Sequence, residues 1–197
     1  MEESDIRTFL LQRVLLYQTI TDDSKFAKQI IMASKLIKAT INFGGKILIF
    51  GNGGSAAQAQ HFAAELVGKF ERERPAIDAL ALTTDTSILT SVANDSGFGR
   101  VFSRQIEAYG KRGDLVIGLT TSDCKPNSSH SRNILNGFLV AKRKGLKSIG
   151  LFSQKTKHLL PFVDAPIVVP AKNTALIQEV HQTLMHLLCR FVEEIYE

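Results

Sequence analysis

The stretch from Lys46 to Phe70, KILIFGNGGSAAQAQHFAAELVGKF, constrains the fold of this chain more than any other. It opens with an apolar run that does not alternate with polar residues, which is typical of a strand buried on both faces. GNGGS follows, and then an alanine-rich run without proline, which predicts a helix. We therefore predict a strand, a glycine-rich turn and a helix whose first turn offers free N–H groups to an anion.

The predicted helix also carries side chains suited to chemistry. Ser55 is placed to cap the helix and to donate its hydroxyl to a ligand. His61 and Glu65 lie four residues apart, about 40° around the helix, so an imidazole and a carboxylate point the same way. From these residues alone, the alternatives are an ordinary tight turn, a buried structural histidine and a surface His–Glu pair. The turn matches neither GxGxxG nor GxxxxGK[ST], so it indicates neither a dinucleotide nor a P-loop nucleotide.

The composition is that of an ordinary globular protein. The chain has 197 residues, and we predict one domain, 1–197, with a sizeable core. No apolar run reaches the ~18 residues of a membrane span, and the acidic start is unlike a signal peptide. Cys124 and Cys189 form no paired motif, so we expect reduced thiols and a cytoplasmic protein. The net charge is +5, but the basic residues are scattered. A site for phosphorylated small molecules explains this charge as well as nucleic acid does, and nucleic acid stays the minor alternative.

The rest of the sequence alternates between predicted helices and apolar strands. The predicted helices are 4–20, Asp23–Asn42, the helix after GNGGS, Asp85 or Thr86 to Ala93, Gly99–Tyr109, Arg132–Lys144, His158–Val163 and Thr174 to the end. The predicted strands are Lys46–Phe50, Ile77–Leu82, Leu115–Leu119, Leu146–Phe152 and Pro166–Val169. This order predicts an α/β fold, a three-layer α/β/α doubly wound parallel sheet. The N-terminal helices at 1–43 are more than one sheet needs, so we expect part of their apolar surface to contact another subunit.

Three polar segments follow predicted strands. They are GNGGS, TTDTS and the TTS at 120–122. Ligands of such sheets bind beyond the carboxyl ends of the strands, so these segments predict a phosphate and sugar site. A predicted turn at Asn94–Gly97 comes after the second of them.

The last predicted helix supplies further polar groups in the segment IQEVHQTLMH. Gln178 and His186 lie eight residues apart, about 80° around the helix, so both can face an ion, which leaves His181 for a structural hydrogen bond. Together with His61 and Glu65 they form one hypothesis for a tetrahedral N/O zinc site.

At these segments the chain resembles the sugar isomerase (SIS) family. GNGGSAAQAQHFAAEL, LTTDTSILTSVANDSGF, TTS and IQEVHQTLMH are similar, more narrowly, to the sedoheptulose 7-phosphate (phosphoheptose) isomerases of bacterial heptose synthesis. The resemblance covers nearly the whole chain. It implies the SIS fold and conversion of D-sedoheptulose 7-phosphate to D-glycero-D-manno-heptose 7-phosphate. The product leads to ADP- or GDP-heptose for lipopolysaccharide or surface polysaccharide. It also implies one zinc ion per chain and a homotetramer with shared active sites.

The same resemblance implies roles for individual residues. The implied zinc ligands are His61, Glu65, Gln178 and His186, with Glu65 and His186 as the proton-transfer pair. The implied substrate contacts are Asn52, Gly53, Gly54, Ser55, Glu65, Asn94, Asp95, Thr120, Thr121, Ser122, Ser131 and Gln178. Isomerisation through an enediol needs a base for the carbon-bound proton and an acid for the oxygens. Zinc ligation weakens both groups as bases, so either the metal shifts when substrate binds or one of the two roles is partial.

Three positions depart from the family pattern. TSDCKPNSSHS replaces a shorter TSGNS, and the counterpart of its last serine is Ser131, or alternatively Ser128 or Ser129. Leu176 and Lys69 stand where arginine is common. We interpret Asp123–His130 as a mobile flap over the site, with a tolerated surface insertion as the alternative.

Two other functions compete with isomerisation. Non-catalytic SIS relatives bind the replication initiator protein but lack the acidic and imidazole groups, whereas Glu65 and His186 are both present here. A sugar-phosphate-sensing regulatory domain would usually be joined to a DNA-binding segment, for which we find no room in the chain.

Overall fold

The structure, a computed structural model, describes residues 2–125 and 129–196. Its helices are α1 (Glu3–Thr21), α2 (Ser24–Asn42), α3 (Gly54–Val67), α4 (Thr86–Ser96), α5 (Val101–Tyr109), α6 (Arg132–Arg143) and α7 (Thr174–Glu193). Its strands are β1 (Ile47–Gly51), β2 (Ala79–Ala81), β3 (Leu115–Leu119), β4 (Lys147–Ser153) and β5 (Ala165–Val169). Short 3-10 turns lie at Phe98–Arg100, Leu160–Phe162 and Glu194–Tyr196.

The five strands form one parallel sheet in the order β2-β1-β3-β4-β5. β1 pairs with β2 on one side and with β3 on the other, so the winding direction of the chain reverses between β1 and β3. In doubly wound sheets this switch point opens a crevice at the carboxyl ends of the strands. The predicted fold class is confirmed.

Helices cover both faces of the sheet because the side chains of each strand alternate between two cores. Ile47 and Ile49 of β1 belong to a core with α2, α3 and α7, whereas Leu48 and Phe50 belong to a core with α5 and α6. Every residue of β1 and β3 is buried. The central strands are therefore non-alternating apolar runs, as the sequence indicated.

Two predicted boundaries are wrong. The strand predicted at Ile77–Leu82 spans only Ala79–Ala81, because β2 lies at the sheet edge and pairs there with β1. The turn predicted at Asn94–Gly97 is helical for its first three residues. α4 ends only at Gly97, whose φ of 83° breaks the helix. The N-cap of α4 at Asp85 is confirmed, since its carboxylate accepts the backbone N–H of Ile88 at 2.9 Å.

α1 lies on the outside of the fold and is attached to α7 by polar contacts. Arg13 Nη2 lies 2.7 Å from Glu179 Oε1, and Tyr17 Oη lies 2.6 Å from Thr183 Oγ1. Leu16 is the buried residue of this helix. The large apolar side chains that α1 exposes are Ile6, Phe9, Leu10, Leu11, Val14 and Leu15. No helix in the described ranges has the length and hydropathy needed to cross a membrane.

His181 connects α7 to the sheet. Its side chain is fully buried, and its Nε2 lies 3.3 Å from the carbonyl oxygen of Phe152 on β4. Its Nδ1 has no hydrogen-bond partner among the described residues. Burial lowers the pKa of His181 to about 4, so the imidazole is neutral in the folded protein. The predicted structural hydrogen bond of His181 is confirmed.

This burial predicts an acid sensitivity that one substitution should reduce. Below the ordinary histidine pKa of about 6.5, the unfolded chain binds a proton at His181 that the folded chain excludes, so stability falls as pH drops towards 4. When the pH falls from about 7 to about 5, the free energy of unfolding should decrease by about 2 kcal/mol less in His181→Leu than in the unchanged protein. Denaturant unfolding of metal-free protein at both pH values measures this difference. Equal losses in the two proteins would contradict the assignment.

Candidate active site

The chain turns sharply from β1 into α3 because glycine stands where the backbone requires it. Gly53 is the N-cap residue of α3 and has φ 55°, a conformation that residues with a Cβ disfavour. A Cβ at Gly51 would lie 2.7 Å from the carbonyl oxygen of Ser55. The prediction that Ser55 caps the helix is wrong, because α3 begins at Gly54 and Ser55 is buried in its first turn. The tip of α3 therefore lies at the carboxyl edge of the sheet, where anions bind in this fold class.

Two side-chain amides join the end of β1 to the start of α6. Asn52 Nδ2 donates to Asn133 Oδ1 at 3.0 Å, and Asn133 Nδ2 donates to Asn52 Oδ1 at 2.7 Å. Asn133 is buried, and its Oδ1 also accepts the backbone N–H of Ile134. Ser131 is the N-cap residue of α6 and has φ 54°. Hydrogen bonds thus connect the GNGGS turn to the first turn of α6, and the two together form one side of the crevice at the carboxyl ends of the strands.

The hydroxyl cluster Thr120–Ser122 follows β3 and is held in place by the last residue of β4 and by the segment after that strand. Ser153 Oγ donates to the carbonyl oxygen of Thr121 at 2.9 Å, and Thr156 Oγ1 donates to that of Ser122 at 3.2 Å. Within the cluster, the backbone N–H of Ser122 donates to Thr120 Oγ1 at 3.1 Å. Because β1 and β3 are neighbours, the cluster lies beside the GNGGS turn.

His61, Glu65 and His186 form a compact group between α3 and α7. His61 Nε2 lies 3.0 Å from His186 Nε2 and 3.2 Å from Glu65 Oε1. One donor atom from each residue lies within 4.8 Å of the others. The His61 side chain is exposed, while Glu65 and His186 are half-buried. An incoming ligand can therefore reach the group from solvent.

The group exists because α3 and α7 pack side by side. Gln58 Nε2 on α3 donates to the carbonyl oxygen of Gln178 on α7 at 2.7 Å. Gly54 leaves room for the Gln178 amide, since a Cβ at Gly54 would lie 2.5 Å from Gln178 Nε2. On α7 itself, the Gln182 side chain also contacts His186, with 3.0 Å between Gln182 Nε2 and His186 Nε2. Gln178 as a fourth metal ligand stays a prediction.

The donor set of this group suits a zinc ion. Zinc prefers four nitrogen, oxygen or sulfur ligands in a tetrahedron, and bonds of about 2.0–2.1 Å place two ligand atoms about 3.3 Å apart. The separations from His61 Nε2 to His186 Nε2 and Glu65 Oε1, 3.0 and 3.2 Å, are close to that value. Two imidazoles and a carboxylate are also ligands that zinc accepts. His61, Glu65 and His186 are therefore the residues that could hold the ion.

Comparison with known proteins identifies the family of this chain. The family model described as the SIS domain matches residues 15–153. A phosphoheptose isomerase from Thermodesulfovibrio yellowstonii is 48% identical over 82% of this chain and 78% of its own length. Another from Geobacter sulfurreducens is 43% identical over 87% and 88%. The chain belongs to the phosphoheptose isomerase family of SIS-domain proteins.

Solved structures of this family share the fold throughout. A phosphoheptose isomerase from Francisella tularensis superposes with a TM-score of 0.89 at 32% identity, covering 98% of this chain and 100% of the other. One from Neisseria gonorrhoeae gives a TM-score of 0.87 at 33% identity and covers 98% of both chains. The predicted family resemblance is confirmed.

The structure also describes two further segments predicted to belong to the site or to cover it. Asn94 and Asp95 are exposed in the last turn of α4, where Asn94 Nδ2 donates to Asp95 Oδ1 at 2.9 Å. The segment interpreted as a mobile flap, Asp123–His130, is anchored at its start by hydrogen bonds. Asp123 accepts the backbone N–H groups of Lys157 and His158 and lies 2.6 Å from His158 Nδ1, and Cys124 is buried. Burial opposes ionisation of Asp123, but these bonds lower its pKa overall. Residues 126–128, including Ser128, lie outside the described residues.

Sequence reasoning missed three residues that touch the site. They are Gln182, Asn133 and Phe70, whose ring stacks on His186 with centroids 5.2 Å apart. Gln182 had a local signal, because it precedes His186 by one helical turn. Asn133 and Phe70 had none, since each reaches its partner through tertiary packing.

The amide pair predicts a binding defect when it is broken. In Asn133→Ala, Asn52 loses a donor and an acceptor, so the GNGGS turn loosens and KM for the sugar phosphate should rise about tenfold. Asn136→Ala is the matched control, because it removes the same side chain one turn later, where it donates to the carbonyl oxygen of Gly99. Steady-state kinetics of both variants measure this change in KM. An unchanged KM in folded Asn133→Ala would remove the amide pair from the site.

Proposed function

We propose that this chain isomerises D-sedoheptulose 7-phosphate to D-glycero-D-manno-heptose 7-phosphate. The observation that carries the proposal is that Glu65 and His186, from distant parts of the sequence, lie close together with His61 in a member of this family. Its curated relatives are named phosphoheptose isomerases at 42–48% identity. The role of a non-catalytic relative that binds the replication initiator is not favoured, because both reactive groups are present and adjacent.

The chain's own residues supply the proton transfers. Glu65 removes a proton from C1 of the ketose, the electrons of that bond form the C1–C2 double bond, and His186 gives a proton to the oxygen on C2. In the second half of the reaction, His186 takes the proton of the oxygen on C1 while Glu65 returns a proton to C2. The net change moves the carbonyl from C2 to C1 and leaves both residues as they began.

Other residues bind and orient the substrate. Asn52, the Gly53–Ser55 turn and Thr120–Ser122 offer amide, backbone N–H and hydroxyl donors at the carboxyl edge of the sheet, which suits a phosphate and a polyol. Ser131 and Gln178 lie on the neighbouring helices α6 and α7. Asn94 and Asp95 complete the proposed set, and their exposure at the end of α4 is consistent with a shared site.

We propose His61, Glu65, Gln178 and His186 as the ligands of one zinc ion per chain. The chemistry that zinc supplies when bound here is stabilisation of negative charge on a substrate oxygen. Both cysteines are free and buried, which is consistent with the proposed location in the cytoplasm.

Replacing the base tests the proposed function. Glu65→Gln keeps the shape of the side chain but cannot accept a proton at neutral pH, so turnover should fall about a hundredfold or more. The matched control is Glu107→Gln, because Glu107 forms a surface ion pair with Arg104 at 3.3 Å. Conversion of sedoheptulose 7-phosphate to the aldose is measured with and without a chelator. Near-normal turnover in Glu65→Gln would exclude this mechanism.

We further propose a homotetramer in which α1 supplies contacts between subunits. Its six exposed apolar side chains, Ile6 to Leu15, form a surface that a monomer would leave in water. Two helices packed by such faces bury the same patch on both partners.

Charges on that face should break the assembly. Light scattering of the unchanged protein should give four times the chain mass of 21.7 kDa. Leu10→Asp with Val14→Asp should give a smaller mass, because burying two carboxylates costs several kcal/mol. Gln12→Asp adds a similar charge on another side of α1 and should leave the mass unchanged. An active monomer of unchanged sequence would refute the proposal.

A further inference from the structure

The last residue of α7 holds the segment that follows α3. Glu193 is 3% exposed, and its carboxylate accepts three consecutive backbone N–H groups, from Phe70 at 2.9 Å and from Glu71 and Arg72 at 3.1 Å. Burial opposes ionisation of Glu193, but these donors and Arg74 lower its pKa overall. The carboxylate is therefore charged at neutral pH and fixes the path of residues 70–72.

Arg74 balances this charge and also caps α3. Its Nε lies 3.4 Å from Glu193 Oε1, and both side chains are nearly inaccessible to solvent. Its terminal nitrogens donate to the carbonyl oxygens of Glu65 at 2.6 Å and Leu66 at 2.9 Å. Carbonyl groups at a helix C-terminus lack N–H partners within the helix. Arg74 supplies donors to two of these carbonyl groups, including that of Glu65.

The segment held by Glu193 begins with Phe70, which contacts the other reactive residue, His186. The Phe70 ring stacks on the His186 imidazole with an angle of 21° between the planes. Because the Phe70 amide is bonded to Glu193, the position of this ring depends on the buried carboxylate. One ion pair is thus connected to the backbone of Glu65 and to the ring of His186.

We propose that the Glu193–Arg74 pair is a positioning element that sets the separation of Glu65 and His186 for metal binding and proton transfer. A buried ion pair is weak evidence for a role in stability, since its desolvation offsets most of its attraction. A positioning role is expected to change metal affinity and turnover, because partners behind metal ligands commonly change both by about 10–100-fold.

The test compares three variants. Glu193→Gln removes the charge and presents N–H groups to the backbone donors. Phe70→Leu removes the stacking while leaving the ion pair intact. Glu194→Gln is the matched control, because Glu194 is the next residue and pairs with Lys38 at 3.0 Å on the surface. Zinc affinity is measured by competition with a chromogenic chelator, and cobalt(II) absorption reports the ligand geometry.

The expected result has three parts. Glu193→Gln weakens zinc binding about tenfold or more and alters the cobalt spectrum. Phe70→Leu does the same to a smaller extent, and Glu194→Gln does neither. For substrate turnover, kcat falls in the first two variants by more than KM changes.

The proposal would be overturned if folded Glu193→Gln keeps zinc affinity and kcat within twofold of the unchanged protein and gives the same cobalt spectrum. If Glu193→Gln does not fold, Phe70→Leu decides by the same criterion. The inference rests on the proposed function in its choice of Glu65 and His186. If the unchanged protein binds zinc without isomerising sedoheptulose 7-phosphate, the proposed function fails, and the metal measurements still judge the ion pair. A protein that binds neither zinc nor cobalt would refute the positioning role itself.

Discussion

The site depends on the side-by-side packing of α3 and α7, two helices separated by more than a hundred residues of sequence. Gly54 supplies the close approach, since any side chain there would occupy the space of the Gln178 amide. Gln58 adds a hydrogen bond to the backbone of α7. His61 and Glu65 on one helix then face His186 on the other, and each lies within hydrogen-bonding distance of a neighbour. Both helices begin at the carboxyl edge of the sheet, and the three reactive groups lie about two to three helical turns further along them.

The sheet order explains why these loops meet. β1 and β3 are adjacent, although β2 and the three helices α3, α4 and α5 separate them in sequence, and the reversal between them opens the crevice. Local hydrogen bonds then complete the walls. The Asn52–Asn133 amide pair closes one side, and Ser153 and Thr156 support the hydroxyl cluster on the other. The polar surroundings of the site are therefore built from tertiary contacts at the carboxyl edge of the parallel sheet.

The sequence predicts most of the fold because the strands are buried on both faces and appear as continuous apolar runs. Leu115–Leu119 is placed as predicted for this reason. The predicted start of a helix is wrong where a single local signal competes with packing. Ser55 is an example, because it resembles an N-cap residue but lies inside α3, which begins at Gly54. Helix periodicity places His61 and Glu65 on one side of α3 and offers His186 on α7 as one candidate partner, whereas their roles come from the family resemblance. Glu193, Arg74 and Phe70 carry no such pattern, because a charged segment after α3 resembles an ordinary solvated link. The burial of the Arg74 and Glu193 side chains follows only from three-dimensional packing, and so does the connection that they make between Glu65 and His186.

The central claim is that α3 and α7 bring His61, Glu65 and His186 around one metal ion. Anomalous diffraction from crystals grown with zinc, measured on both sides of the zinc absorption edge, tests it most directly. The account predicts one anomalous peak per chain, in contact with Nε2 of both histidines and a carboxylate oxygen of Glu65. A peak bound elsewhere on the chain, or no peak in crystals supplied with zinc, would contradict it.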